Sequence, residues 1–295
     1  MALLWVMPLC FSSNIIFGRA AVSEVEPFTL ALLRWSLASL LILPFVWRDL
    51  AQLRNQLRSL ALPLLVMGFF GMWVCGALVY LALKYTTATN GTLIYTSSPV
   101  MIIVLDWLLK GRPIRLAEAM GTLIALSGVV LIVVQASWTV LTSLQFNAGD
   151  LLFVAAALSW ALYSVGIKRD SFDAIPTFSL FFAIAAAGSL LLLPFALVEI
   201  WFVAPLPVTS TAWANIIGIV VFASLLAFSL NQIGIRTVGA ATTGVFLYLL
   251  PIYGVGLAIL FLGEELAAYH LAGMALVLGG VVLATYRFGK GEPAD

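Results

Sequence analysis

The chain has 295 residues, of which 63% are hydrophobic and only 9% charged, with a mean hydropathy of +1.13 and a net charge of +1. A water-soluble domain of this size carries about a quarter of its residues as charges, so an aqueous fold is excluded, and the aliphatic and aromatic load excludes disorder. A near-neutral chain has little to offer a polyphosphate backbone, which argues against a nucleic-acid partner.

A helix needs about 20 apolar residues to cross the hydrocarbon core, and the strand alternation of a barrel is absent. Ten helical spans follow in chain order: 3–20, 28–47, 60–83, 87–109, 114–135, 150–168, 175–198, 211–235, 239–262 and 266–286. The breaks between them carry turn residues, among them Gly111-Arg112-Pro113, Gly149-Asp150, Pro205-Leu206-Pro207 and Gly263-Glu264-Glu265. The first 21 residues lack the basic leader of a signal peptide and are read as the first span. Cys10 and Cys75 fall inside apolar spans and read as small buried side chains rather than a disulfide or metal site.

Basic residues give the orientation. With the N-terminus in the cytoplasm, the inner side holds Arg48, Arg54, Arg58, Lys110, Arg112, Arg115, Lys168, Arg169, Arg236, Arg287 and Lys290. Only Arg19 and Lys84 fall outside, and Arg34 lies within a span. This positive-inside bias puts both termini in the cytoplasm and predicts a multi-pass protein of a bacterial inner membrane.

The chain contains its own second copy. A shift of 152 residues places Pro99 on Pro251, Gly111 on Gly263, Gly121 on Gly273, Gly128 on Gly280 and Val129–Leu131 on Val281–Leu283. A shift of 149 places Arg19 on Lys168 and Pro27 on Pro176. The expected organisation is a first five-helix repeat over 1–137, a connector over 138–149, a second repeat over 150–288 and a cytoplasmic tail over 289–295. Five is odd, so the two copies insert with opposite orientation. Such an inverted pair is a feature of secondary transporters, with the substrate site where the copies meet.

Candidate binding residues follow from polar and aromatic groups at mid-span. A cavity enclosed by spans 1, 3, 4, 6, 8 and 9 is expected, with Asn14, Tyr80, Asn90, Tyr95, Ser98, Trp160, Tyr163 and Tyr248 as substrate contacts. Hydroxyls and amides would hold the polar end of a substrate and rings its apolar part. For any one Ser or Thr, packing or a bond to its own backbone is the competing reading. Trp160 and Tyr95 lie too deep for an interfacial belt, which Trp5, Trp47, Trp201 and Trp213 suit. The repeat makes Asn14 equivalent to Tyr163 and Tyr80 equivalent to Gln232. Spans 2, 5, 7 and 10 are poorer in such groups and are expected to face lipid or their neighbours.

Pro99 and Pro251 lie inside spans 4 and 9. Each frees a carbonyl four residues back, on Tyr95 and Leu247, and is expected to act as a hinge; a packing kink is the alternative. Arg34 lies about 10 Å below the outer surface at 1.5 Å per residue from Pro27. It reads either as a carboxylate contact or gate, or as a snorkelling residue directed to Glu24 or Glu26. Asp106 reads as a local pair with Lys110, and His270 as a solvated helix-end residue. No ionisable residue lies at the centre of the cavity-lining spans, which argues against a strongly charged substrate and leaves no evident proton carrier. Stripes of small residues, Ala117, Gly121 and Ala125 in span 5 and Ala268, Ala272 and Gly279-Gly280 in span 10, allow close helix approach, either between the halves or in a dimer.

The run Leu262-Gly263-Glu264-Glu265-Leu266, then Gly273, then Gly279 to Leu283 resembles the hairpin closing an EamA-type repeat of the drug/metabolite transporter superfamily. Leu33-Arg34 ahead of the run Leu40–Pro44, and a proline in the span before each hairpin, resemble it too. The resemblance covers the whole chain as two repeats and implies an all-α membrane protein, ten transmembrane helices around a central cavity. The first half departs from the pattern at Arg112-Pro113, where an acidic residue is usual after the glycine. Within the superfamily the aromatic load on the central spans looks most like aromatic amino-acid exporters of the YddG kind. The expected function is an alternating-access carrier exporting small amphiphilic metabolites, neutral or aromatic amino acids foremost. A multidrug exporter of lipophilic cations is the alternative, although no cavity carboxylate awaits a cation. A polytopic membrane enzyme is more distant, because no acid, base, nucleophile or metal constellation is visible. No cofactor or metal is expected. The partners are a small-molecule substrate and the lipid bilayer, and the oligomeric state stays open, a monomer being compatible.

Overall fold

A computed structural model describes residues 2–86, 88–145, 147–262 and 266–286. The Gly263-Glu264-Glu265 turn, Arg287, Lys290 and the tail 289–295 lie outside the described residues.

The helices that follow the ten expected spans are α1 (Ala2–Ala21), α2 (Pro27–Gln52), α3 (Ala61–Ala82), α4 (Ala88–Tyr95 and Ser98–Lys110), α5 (Leu116–Val133), α6 (Ala148–Ile167), α7 (Thr177–Phe202), α8 (Ser210–Val238), α9 (Ala240–Val245, Phe246–Leu249 and Leu250–Leu262) and α10 (Ala268–Thr285). Among the described residues nine of these, α2 to α10, are long and apolar enough to cross a membrane; α1 contributes a shorter apolar stretch, Ala2–Gly18. The connector, read from sequence as a plain link, contains a short helix, Trp138–Thr142, capped by the Ser137 hydroxyl. Trp47 and Trp201 are 64% and 78% exposed at helix ends, as interfacial anchors require.

Repeat-related helices pair across the molecule. α5 lies along α10 and α2 along α7. The α5–α10 crossing rests on two glycine contacts. A Cβ on Gly121 would meet Ala284 N at 2.4 Å and Gly280 O at 2.5 Å; one on Gly128 would meet Gly273 O at 2.7 Å. The shift of 152 exchanges these two contacts, so the small residues join the halves of one chain. Gly279, in contrast, faces open space.

The α2–α7 pair is antiparallel and closed by carboxylates at both ends. Glu199, late in α7, accepts from Phe28 N (3.1 Å), Thr29 N (2.7 Å) and Thr29 Oγ1 (2.9 Å), satisfying the first turn of α2. Asp49, late in α2, accepts from Ser179 Oγ at 2.8 Å in the first turn of α7. Lys84 and Arg236, which end α3 and α8, also perform matching tasks. Lys84 pairs with Glu26, and Arg236 donates to Thr177 Oγ1, Phe172 O and Asp173 O. Each ties its helix to the turn between the first two helices of its own repeat.

The Lys110, Arg112 and Arg236 contacts lie at one end of the bundle, here the basic end; the 136–149 connector lies at the other. At the basic end Asp106 is more than the local partner of Lys110. Arg112 donates to Asp106 Oδ2 at 2.9 Å and to Glu118 Oε1 at 2.7 Å, forming a half-buried charge cluster that accounts for the departure at Arg112. His270 is not solvated. It is 8% exposed, and its Nδ1 accepts from Ala267 N at 3.0 Å, as Glu118 accepts from Arg115 N at the repeat-related end of α5.

Candidate functional site

The middle of the bundle is built on Phe228 of α8. Its ring meets those of Trp35 (4.7 Å between centroids), Phe11 (5.4 Å), Trp160 (5.4 Å), Tyr163 (6.0 Å) and Phe181 (6.4 Å). Phe11 also packs edge-on against Trp160 at 5.7 Å and 89°. The shift of 149 superposes Phe11 on Trp160, so the two copies touch at their own equivalent residues. Trp160 and Tyr163 thus share one cluster, their centroids 5.5 Å apart. Phe228 was missed. Its position four residues after Ser224 and four before Gln232 puts it on the same face as both, a signal the helical period carries.

Two hydrogen-bonded pairs flank this aromatic cluster. In the first repeat Tyr80 donates to Asn14 Oδ1 at 3.0 Å, joining α3 to α1. In the second Gln232 Nε2 donates to the Tyr163 hydroxyl at 3.0 Å, joining α8 to α6. The repeat relates the two bonds and exchanges the phenol and the amide between positions.

Arg34 enters the first of these from α2. Its Nη1 donates to the Tyr80 hydroxyl (3.2 Å), Nε to Ser224 Oγ (2.7 Å) and Nη2 to Ala223 O (2.9 Å), and it is 5% exposed. The guanidinium lies 4.5 Å from the Trp35 ring centroid and 5.7 Å from that of Phe228. The snorkelling reading is therefore incorrect: Glu24 and Glu26 engage Thr209 and Lys84, and the arginine turns inward. The expectation that α2 and α7 face only lipid or neighbours fails with it, because Arg34, Trp35 and Phe181 all reach the centre.

The acceptors of Arg34 depend on local backbone. α3 and α8 each widen into a π-helical stretch, Phe69–Leu78 and Ile219–Leu226, at overlapping repeat positions. In α8 the Ser224 hydroxyl donates to Ile219 O, five residues back, and presents its oxygen to Arg34. Departures into π-helix recur at functional sites because they redirect side chains and carbonyls.

α4 and α9 each depart from α-helix just ahead of their proline. α4 stops at Tyr95, turns through Thr96 and Ser97, and restarts with the buried Ser98 and Pro99 in its first turn. α9 passes through a 3-10 turn, Phe246–Leu249, before Leu250 and Pro251 open a new segment. The prolines thus sit where a missing N–H costs nothing. At the second break Ser12 of α1 donates to Leu250 O at 3.0 Å. The second segment of α4 packs on the first segment of α9, where Ile102 faces Gly244. Both segments of α4 also pack on α6, and the last segment of α9 packs on α1. The two broken helices therefore meet at the basic end and lean on different neighbours at the connector end.

The remaining predicted residues divide. Tyr95 is half-buried at the end of the first segment of α4. Tyr248 is 1% exposed, and among the described residues its hydroxyl has no hydrogen-bond partner, as is also true of Trp160 Nε1, Asn231 Nδ2 and Gln232 Oε1. Asn90 lies apart from this group. It donates to Gln145 O (3.1 Å) and Asp150 Oδ2 (3.3 Å), fastening the connector at the start of α6, where Asp150 also accepts from Thr86. Trp5 packs on Phe246 of α9 at 5.4 Å instead of standing in a belt.

A family model for the EamA-like transporter family matches residues 1–134 and 147–286. An uncharacterized transporter of Archaeoglobus fulgidus is 30% identical over 292 residues, covering 96% of either chain. An aromatic amino acid exporter, YddG, of Ancylobacter novellus is 26% identical over 226 residues and 76% of either chain. A biotin transporter of Salmonella typhimurium is 26% identical over 253 residues, 83% of this chain and 79% of its own.

Proposed function

The chain belongs to the EamA-like transporter family, and from that premise we propose that it is an alternating-access exporter of small amphiphilic metabolites, neutral and aromatic amino acids foremost. The observation that carries this reading is the pair of repeat-related breaks in α4 and α9, engaged with each other at the basic end. Two inverted copies of one hinge provide two states of similar energy by exchanging which segments meet. In the exchanged state the first segment of α4 would close on the last segment of α9. Rocking of 1–137 against 150–288 about Pro99 and Pro251 would open the site first to one side and then to the other. The basic end is the cytoplasmic end of an inner-membrane protein by the positive-inside rule, so the present arrangement is closed inward.

The binding chemistry fits an amphiphile. Phe11, Trp160, Tyr163 and Phe228 offer ring faces and edges, Asn14 and Tyr80 offer polar groups, and Tyr248 brings a buried hydroxyl from α9. Buried donors and acceptors without partners cost free energy unless something fills them at a stage of the cycle. Ser98 and Tyr95 stand at the α4 break, where access changes. An exporter of lipophilic cations is disfavoured, because the buried charge beside these rings is the positive Arg34.

The test is uptake of labelled phenylalanine, tryptophan, threonine and biotin into proteoliposomes of the purified protein, with empty vesicles as control. Saturable uptake of the aromatic amino acids, reduced severalfold by Trp160→Ala or Tyr95→Ala with expression unchanged, is the expected outcome. Movement of a lipophilic cation without any amino acid would overturn it.

A further inference from the structure

Resting on the reading of a small-molecule carrier, we propose that Arg34 is the subsite for a carboxylate of the transported molecule, which makes carboxylate-bearing amphiphiles its substrate class. Among the described residues no carboxylate pairs with Arg34. Among the described residues the acidic groups at its own end of the bundle are engaged elsewhere: Glu24 with Thr209, Glu26 with Lys84, Glu199 with the first turn of α2 and Asp150 with Thr86 and Asn147. An ionised side chain taken out of water without a counter-charge is among the costliest features a helical bundle can hold. A neutral donor could join α2 to Ser224 and Ala223 at lower cost, so holding helices together does not account for a full charge.

The hydrogen bonds leave room for a ligand. A guanidinium has five N–H groups, and Arg34 donates three bonds, each to a neutral oxygen. Its planar fork matches a carboxylate in shape and charge better than any other side chain. The Trp35 and Phe228 rings beside it stabilise the cation while the site is empty and give an apolar wall to the rest of the ligand. The counterpart position in the second repeat is Ala183, or Ile184 if the match is carried back from Pro194, and neither is charged. With a single anchor, the bound molecule takes one polarity, carboxylate toward Tyr80 and Asn14 and apolar part toward Trp160.

Acid and amide pairs test this: phenylalanine and phenylalaninamide, biotin and biotinamide, benzoate and benzamide. Thermal unfolding of the purified full-length protein reads binding to each. The acid of at least one pair is expected to raise Tm at about tenfold lower concentration than its amide. Arg34→Gln removes that preference, Arg34→Lys keeps part of it, and Ser224→Ala keeps it, because it removes one acceptor of Arg34 and leaves the charge. Equal shifts by acid and amide in the unaltered protein, or no shift by any acid, overturn the subsite without any variant having to fold. A preference that persists in Arg34→Gln overturns it as well. Uptake of acid and amide alike into proteoliposomes would sink the subsite and leave the carrier reading standing. Binding with acid preference but no uptake of any acid would count against the carrier reading alone.

Discussion

Where the first repeat has Gly76, the second has Phe228, and the difference spreads through both interiors. A Cβ on Gly76 would already lie 2.9 Å from Trp35 Nε1. The first repeat therefore holds a small residue beside Trp35 and Arg34, with Tyr80 and Asn14 completing a polar group around a charge. The second fills the matching volume with a ring and keeps only the neutral Tyr163–Gln232 pair. Yet both copies share their glycine crossings, broken helices, π-helical stretches and carboxylate clasps. Duplication preserved the backbone devices that let one copy mirror the other, while the site chemistry diverged, so a bound molecule meets two unlike walls.

The shared devices can be broken selectively. Gly121→Leu should have the largest effect, because the backbone of α10 already lies 2.4–2.5 Å from its ideal Cβ and cannot retreat without undoing the crossing. Loss of monodisperse protein on size-exclusion chromatography is expected. Gly279→Leu, facing open space, should purify normally; equal yields would show that the crossing does not join the halves.

The clasps come next. Glu199 accepts three bonds, two from backbone N–H groups, whereas Asp49 accepts one from a hydroxyl. Glu199→Gln should cost about 1–3 kcal/mol and Asp49→Asn less than about 1 kcal/mol, read as the ordering of their Tm values in detergent. The reverse order would mean that the clasp is not set by its backbone bonds.

The smallest effect is expected at the loop ties. The Lys84–Glu26 pair is exposed, with the lysine side chain 43% accessible, and such pairs contribute about 0–1 kcal/mol. Lys84→Ala should leave Tm nearly unchanged. Arg236→Ala orphans two carbonyls and the Thr177 hydroxyl and should lower Tm by more. Indistinguishable variants would mean that the second tie is as solvated as the first.

Much of this architecture was legible in the chain. Apolar runs about 20 residues long set the helices, and matched Pro and Gly residues set the repeat, the breaks and the α5–α10 crossing, because each acts through its own backbone. The Asn14–Tyr163 and Tyr80–Gln232 equivalences followed from the repeat, and each relates a member of the Tyr80–Asn14 pair to a member of the Gln232–Tyr163 pair. Other residues were misjudged. Asn90 looked like a ligand contact and fastens the connector; His270 looked solvated and caps α10; of the two readings of Arg34, gate or carboxylate contact and snorkelling, the second fails because the side chain turns inward.

In a chain this hydrophobic, the apolar residues run all round most helices, so composition says little about which face is buried. The sequence alone determined where the helices lie, that they form two copies, and where they break, since these follow from hydropathy and from residues that constrain their own backbone. The direction Arg34 takes, the ring that fills the centre and the ends at which α4 and α9 meet were decided only by tertiary structure. Those depend on the rotation and register of one helix against another, and these are set by contacts between residues up to 248 positions apart, as Ser12 to Leu250 and Trp5 to Tyr253 illustrate.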